Sequence, residues 1–341
     1  MAAETWLITG GLGFIGVNLI ERILDRPGFS EECGLKPGLL DRLTIRVLDS
    51  GVTAVTENLS SRLESRLEVL RGDIRDPACV ERALEGVTRV IHLAAHAGVL
   101  PSTENPRYDF EVNSLGTFNL LDGARSRGIS SFVFASSGAV VGKIVPPIRT
   151  SDALRPLSPY GASKAAGEAM IHAFRESYGL NATALRFGNI FGPKSQAKGS
   201  VVPLFIRKAL IGEDLEVFGD GEQKRDFLYV GDLCEAIVRA VTQDQLKEPV
   251  YQLARGEGLS VNELLVHLKT ALSAIPLPMP RVHYRSARPA EVLLSFYDLS
   301  ASRRDLNWVA RVSFEQGILE TLNWYHSQES RRLKKGLERS L

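Results

Sequence analysis

The sequence predicts an α/β fold, a doubly wound parallel sheet followed by a smaller C-terminal lobe. Three observations predict it. Short apolar, β-branched runs alternate with longer helical patterns through the first half of the chain, the mark of a parallel sheet covered on both faces. A glycine-rich turn, Thr9-Gly10-Gly11-Leu12-Gly13-Phe14-Ile15-Gly16, separates the first strand run from the first helix. After about Asn189 the pattern shortens, and Gly192-Pro193, Gly199, Gly219-Asp220-Gly221 and a proline-rich stretch at 275–280 punctuate smaller elements.

Taken in order, residues 6–9, 43–48, 67–70, 90–93 and 132–135 read as strands, with helices near 15–24, 79–84, 110–124 and 162–178 between or after them. Crossovers between parallel strands are right-handed by default. Residues 250–253 read as a late strand that returns to the main sheet. This divides the chain into a first domain, 1–188, joined by later segments at about 228–258, and a second lobe formed mainly by 189–341. Residues 27–42, with Pro27, Gly28, Gly34, Pro37 and Gly38, read as an inserted surface loop. Asp76 before Pro77 reads as a helix cap. The lysine- and arginine-rich tail at 330–341 reads as a fraying helix end. Trp6, Trp308 and Trp324 read as core, His92 as a packed strand-end histidine, and His96 as a loop residue.

The chain has 341 residues, with 41 basic and 40 acidic side chains for a formal net charge of +1. That balance excludes the strongly basic surface of a nucleic-acid binder. A hydrophobic content of 44% with 24% charged residues excludes wholesale disorder. No apolar run reaches the roughly 20 residues a bilayer crossing needs. Met1 to Thr5 carry no basic stretch, which argues against a secretory signal. Cys33, Cys79 and Cys234 are far apart with no CxxC pair, so neither a disulfide framework nor a metal site is expected, and a reduced, cytoplasmic setting is.

Gly10, Gly13 and Gly16 follow a strand and open a helix. Glycine there permits the turn and lets main-chain amides approach a pyrophosphate, to which the helix N-terminus adds partial positive charge. The spacing is GxxGxxG rather than GxGxxG, so the strand before and the helix after carry the reading. The second strand run ends at Asp49-Ser50. A carboxylate at that point accepts both hydroxyls of an adenosine ribose and repels a 2′-phosphate, which favours NAD over NADP; the plainer reading is a cap or turn aspartate. These features make the sheet Rossmann-type. Gly72-Asp73-Ile74 closes the third strand, where Asp73 meets an adenine amino group.

Tyr160-Gly161-Ala162-Ser163-Lys164 begins a helix, and the i, i+4 spacing puts Tyr160 and Lys164 on one face. An ammonium beside a phenol favours the phenolate and pulls the tyrosine toward the pKa of a general base. Earlier in the chain a strand ends in Ser136-Ser137-Gly138-Ala139, placing a hydroxyl at the carboxyl edge of the sheet, where such folds bind ligands.

At these residues the chain resembles the extended short-chain dehydrogenase/reductase family, in its NAD-dependent nucleotide-sugar epimerase/dehydratase branch. The resemblance runs over nearly the whole chain. Besides the motifs above it includes His92-Leu93-Ala94-Ala95, Asn113 with Gly116-Thr117, and Arg186-Phe187-Gly188-Asn189-Ile190-Phe191-Gly192-Pro193. It continues through Gly219-Asp220-Gly221, Arg225-Asp226-Phe227 and Arg288-Pro289-Ala290-Glu291. It implies Ser137, Tyr160 and Lys164 as catalytic. It implies an NAD site of Gly10, Gly13, Phe14, Ile15, Gly16, Asp49, Ser50, Asp73, Ile74, Leu93, Ala94, Ala95, Asn113, Tyr160, Lys164 and Phe187. It implies a nucleotide-sugar site of Ser137, Asn189, Ser200, Val201, Phe205, Phe218, Arg225, Arg288, Glu291 and Ser295. Arg225 and Arg288 suit a diphosphate because a guanidinium forks onto phosphate oxygens, although ion pairs with Asp226 and Glu291 are the plainer reading. A homodimer through helices 110–124 and 162–178 is likewise implied.

Dehydratases of this branch carry Asp-Glu after the catalytic hydroxyl residue, and decarboxylating relatives a Glu. Gly138-Ala139 can do no acid/base work, which leaves 4-epimerisation through a transient 4-keto sugar with recycled, tightly held NAD. Ser295 falls where relatives restricted to plain hexoses carry a bulky tyrosine, which favours a UDP-linked N-acetylhexosamine as well as UDP-glucose or UDP-galactose. UDP-glucuronate epimerisation, 4-keto reduction, dehydration and a non-catalytic NAD-binding regulator are the alternatives. Val141, Lys224 and Leu100-Pro101 depart from the family pattern.

Overall fold

A computed structural model gives the architecture; it describes residues 4–35, 37–39, 42–52, 63, 65–287 and 292–338, leaving aside the side chains beyond 328. The chain runs β1 (Glu4–Thr9), α1 (Phe14–Asp25), β2 (Leu43–Asp49), β3 (Leu67–Arg71), α2 (Pro77–Ala83) and β4 (Arg89–His92). A composite helix follows, α3, made of Pro106–Phe110, a π-helical turn Glu111–Leu115 and Gly116–Ser126. Then come β5 (Ser131–Ser137), α4 (Pro159–Tyr178), β6 (Ala182–Phe187), β7 (Asn189–Phe191), α5 (Val201–Leu210), β8 (Leu215–Phe218), β9 (Lys224–Arg225) and β10 (Phe227–Tyr229). The chain closes with α6 (Val230–Val241), β11 (Val250–Leu253), β12 (Leu259–Ser260), α7 (Val261–Ala274), β13 (Val282–Arg285), β14 (Leu294–Ser295) and α8 (Phe314–Glu338).

Seven strands form one sheet in the order β11-β6-β5-β4-β1-β2-β3, every pairing parallel. The strand order reverses between β1 and β4, and in open α/β sheets that crevice at the carboxyl edge is where ligands bind. The inner strands are rich in β-branched and aromatic residues and buried on both faces, while β3 at the edge is only partly covered. One core cluster includes Trp6, Ile8, Val17, Val47 and Ile91; the opposite face buries Leu7, Leu48, Val90, Phe132 and Phe134. The helices on each face shield this double-sided apolar surface.

The later segments build small sheets of their own. β7 pairs with β10, β13 with β8, and β9 lies between β12 and β14. α6 packs against α1, β4 and β5, and β11 completes the edge of the main sheet beside β6.

The expectation of an inserted surface loop needs refinement. Part of the 27–42 insertion is anchored: Phe29–Glu32 forms a helical turn, Phe29 and Cys33 are buried, and Arg239 donates to the carbonyl of Glu32. An aromatic side chain able to bury its full surface pulled a surface loop into the core. Residues 36, 40 and 41 lie outside the described part. The tail is helical to Glu338.

Candidate active site

β1 delivers the chain into the glycine turn at the carboxyl edge of the sheet. Gly10 has φ +67°, and a Cβ there would lie 2.6 Å from the backbone nitrogen of Ala94. Only glycine meets both demands, the left-handed backbone and the close approach of the β4 crossover. Gly13 caps α1 without a side-chain cap, so the first amides of the helix around Phe14 and Ile15 face the crevice with donors to spare. Asp49 ends β2 beside this turn, with Oδ2 accepting from the amide of Leu12 (3.0 Å) and Oδ1 from that of Gly51 (2.8 Å). Such a cradle, with uncapped amides and a buried carboxylate, fits the pyrophosphate and ribose of a dinucleotide. Ser50 is exposed next to it. Asp73 is already engaged, by a fork from Arg75 (Nη2–Oδ2 2.7 Å), and its carboxyl is held below the usual range chiefly by that contact. Ile74 is buried in the core, against Gly116.

The other side of the crevice is built by β4, β5, α3 and α4. His92 is buried between Thr9 (Nδ1–Oγ1 2.7 Å) and Thr117 (Nε2–Oγ1 3.0 Å), and burial drives its pKa well down, so it is a neutral structural histidine. Leu93, Ala94 and Ala95 follow, half-buried, along the crevice. Asn113 sits in the π turn of α3. Its side chain clasps the backbone of His96 from both sides (2.8 and 3.0 Å) and donates to Asp109 and to Ser163. Asp109, which sequence reasoning did not single out, is wholly buried; Oδ1 accepts from the Ser163 hydroxyl at 2.6 Å and Oδ2 from Asn113 at 3.0 Å. Its four-residue spacing from Asn113 on a helix was the only signal in the sequence.

Ser137 ends β5 and caps a short turn, Gly138–Val140, accepting from the amide of Ala139. α4 begins at Pro159 with Ser158 as its cap, and this start lies against the turn. Tyr160 and Lys164 are therefore presented to the end of β5. Burial pushes the Tyr160 phenol up; a hydrogen bond with Ser137 opposes the shift and the Asp109 charge adds to it. This differs from the expectation of a phenol pulled down by its lysine neighbour. Lys164 Nζ lies 6.0 Å from the Tyr160 ring centre and nearer, at 4.7 Å, to that of Phe134. Burial pushes Lys164 itself down to about 8, against the pull of Asp109. Dehydration thus outweighs the attraction between neighbours.

Gly138 has a structural partner. A Cβ at this position would collide with the hydroxyl of Tyr297, which accepts a hydrogen bond from Ser295 Oγ at 3.3 Å. Tyr297, just after β14, packs with Val140 and Val141 in a small core of its own.

The remaining residues gather on the lobe side. Phe187 ends β6, Asn189 opens β7, Ser200 stands just before α5 without capping it through its side chain, Val201 is half-buried after it, and Phe218 ends β8. Phe205 is buried in the core. Arg225 on β9 donates to the carbonyl of Lys224 (2.9 Å), and β9 pairs with β14, which carries Ser295. Among the described residues Asp226 forms no ion pair; its oxygens accept the amides of Arg255 and Gly256 at 2.7 and 2.9 Å, and burial pushes it up to about 7. Arg288 and Glu291 lie outside the described residues. Among the described residues no cluster of metal-ligating side chains occurs, and no helix is long and apolar enough to cross a membrane.

A profile of the NAD dependent epimerase/dehydratase family matches residues 6–254. A putative UDP-glucose 4-epimerase of Methanocaldococcus jannaschii is 33% identical over 323 residues, 93% of this chain and 97% of that one. A dTDP-glucose 4,6-dehydratase of Xanthomonas campestris is 31% identical over 350 residues, 96% and 94% of the two chains. Among solved structures, a UDP-N-acetylglucosamine 4-epimerase from Methanobrevibacter ruminantium, in complex with UDP-N-acetylmuramic acid, superposes with a TM-score of 0.85 at 30% identity, covering 96% of this chain and all (100%) of that one. A Thermus thermophilus UDP-glucose 4-epimerase in complex with NAD gives 0.80 at 34% identity, covering 94% and 98%.

Proposed function

The chain belongs to the NAD-dependent epimerase/dehydratase family, and from that premise we propose that it inverts C4 of a UDP-linked sugar. The observation that carries this reading is the turn after Ser137. Gly138 and Ala139 supply no acid, and the Tyr297 hydroxyl fills the space a side chain at 138 would need. Dehydration requires a proton donor for the leaving hydroxyl, and this turn has none to give. The dehydratases among its relatives are the alternative this observation disfavours.

NAD, when bound, supplies a hydride acceptor that returns what it takes. The glycine turn with Phe14 and Ile15 would hold the pyrophosphate, and Asp49 the adenosine ribose. Tyr160 Oη would take the proton of the C4 hydroxyl and give it back after the 4-keto sugar has turned over, with the Ser137 hydroxyl bridging. Lys164 would hold the nicotinamide ribose, and its charge would favour the phenolate that burial opposes. Activity should therefore fall as Lys164 loses its proton near pH 8, the protonated form being the working one. Asn189, Ser200, Val201, Phe218, Arg225, Arg288 and Glu291 are assigned to the nucleotide diphosphate and its sugar, whereas Phe205, expected there from the sequence, is taken up by the core. A small side chain at Ser295 would admit an N-acetyl group where a tyrosine would not. Exposed apolar side chains on α3 and α4 support a homodimer.

Incubation with UDP-glucose, UDP-galactose and their N-acetylated and glucuronate counterparts in deuterium oxide tests the reaction by proton NMR. Inversion at C4 without deuterium at C3 or C5 is expected, and deuterium at C5 would overturn the proposal. Tyr160→Phe should lower kcat by about two to four orders of magnitude while NAD stays bound. Near-normal turnover would remove the phenol from the mechanism.

A further inference from the structure

We propose that Lys198 is an additional ligand of the dinucleotide, its ammonium supplying the counter-charge to the pyrophosphate at the start of α1. The proposal rests on the reading of the glycine turn as the pyrophosphate cradle.

Lys198 belongs to the stretch between β7 and α5. Its Nζ donates to the carbonyl of Ile190 at 3.0 Å and lies 5.3 Å from the centre of the Phe14 ring, the first residue of α1. An ammonium has three donors, and among the described residues one is used. Among the described residues no carboxylate lies within ion-pair distance of it, whereas Lys194, four positions earlier on the same stretch, pairs with Glu21. Burial pushes Lys198 down to about 8, and no neighbouring charge opposes the shift. A half-buried cation with no anion beside it among the described residues is costly to keep charged, and a ligand phosphate removes that cost.

Its placement is fixed from both sides. Asn18 on α1 donates to the carbonyls of Phe14 (2.8 Å) and Pro193 (3.0 Å), which ties the stretch onto the first turns of the helix. The uncapped amides of α1, the helix dipole and Lys198 thus lie at the same end of the helix, a combination suited to a bridging diphosphate. The lysine comes from the segment that also carries Asn189 and Ser200. Binding the dinucleotide would thus fasten this stretch to the main sheet, in keeping with a cofactor retained through turnover.

The test uses the purified protein with its bound NAD. After extensive dialysis at rising ionic strength, retained NAD is measured for the wild type and for Lys198→Met, Lys198→Gln and Lys198→Arg, with folding checked by thermal melting. Glutamine keeps a donor for Ile190 without charge; arginine keeps the charge. Loss of NAD affinity by about tenfold or more in both the methionine and glutamine variants, with a weaker salt dependence of release and retention restored by arginine, is expected. Retention by the glutamine variant would mean that the lysine merely holds the loop, and overturns the proposal. So would normal NAD retention with weakened binding of UDP, which would assign the charge to the other diphosphate. Asp49→Ala separates the two layers of the argument. If it retains NAD normally, the reading of the cradle fails. If it loses NAD while the Lys198 variants keep theirs, only the assignment of Lys198 fails.

Discussion

Asp109 ties three pieces of the candidate site together. One oxygen holds Ser163, the residue before Lys164; the other holds Asn113, whose amide in turn grips the backbone of His96, and His96 Nδ1 approaches the same oxygen at 3.5 Å. Its charge raises the pKa of Lys164 against burial and also raises that of Tyr160. Asp109→Asn preserves the shape and removes the charge. Lys164, at about 8 with that support, should then lose its proton at lower pH, so the alkaline limb of kcat moves down the pH scale. A pH–rate profile whose alkaline limb is unmoved would sink the assignment. Ser137, Tyr160, Lys164 and Asn113 are legible in the sequence because their spacing repeats a family pattern. Asp109 is not, because a buried carboxylate looks like any helix-surface acid until its partners are seen. The Gly138–Tyr297 contact is illegible for another reason, since it joins positions that only the fold brings together.

At the scale of elements, the pitch of α4 against the sheet decides whether Tyr160 faces Ser137. A buried ion pair sets it. Arg186 on β6 forks onto Glu168 of α4 (Nε–Oε1 3.0 Å, Nη2–Oε2 2.7 Å), and Ser136 at the end of β5 donates to the same carboxylate at 2.5 Å. Both charged side chains are almost wholly buried. Glu168→Gln leaves the guanidinium in the core without its counter-charge, and a loss of about 3–5 kcal/mol is expected in urea unfolding. A change below about 1 kcal/mol would show that water or a shifted helix relieves the arginine. The main strands and helices are readable from their runs of β-branched residues and their periodicity. β9, β12 and β14 are not, because two residues carry no period. Nor is the π turn in α3, whose extra residue per turn leaves no mark on a pattern of apolar positions.

On the whole molecule, α3 and α4 expose an apolar face that the monomer does not cover. Phe110, Leu115, Phe118 and Tyr178 are each more than two-fifths exposed, and Phe118, Phe174 and Tyr178 form a chain of edge-on ring contacts. Exposed aromatic side chains grouped on two neighbouring helices are what an isologous helix-bundle interface buries. With a formal net charge of +1, two copies meet little mutual repulsion. The same helices carry Asn113, Tyr160 and Lys164, so pairing there would stiffen the supports of the site. Phe118→Glu combined with Tyr178→Glu places like charges at the centre of such a face, and sedimentation at micromolar concentration should shift from dimer to monomer. NAD retention should persist in the monomer, because the cradle lies on β1, α1 and β2, while the thermal midpoint falls by several degrees, on the order of what loss of a subunit contact costs. A wild-type chain that sediments as a monomer at that concentration would leave these aromatics without a partner and remove the dimer from the proposal.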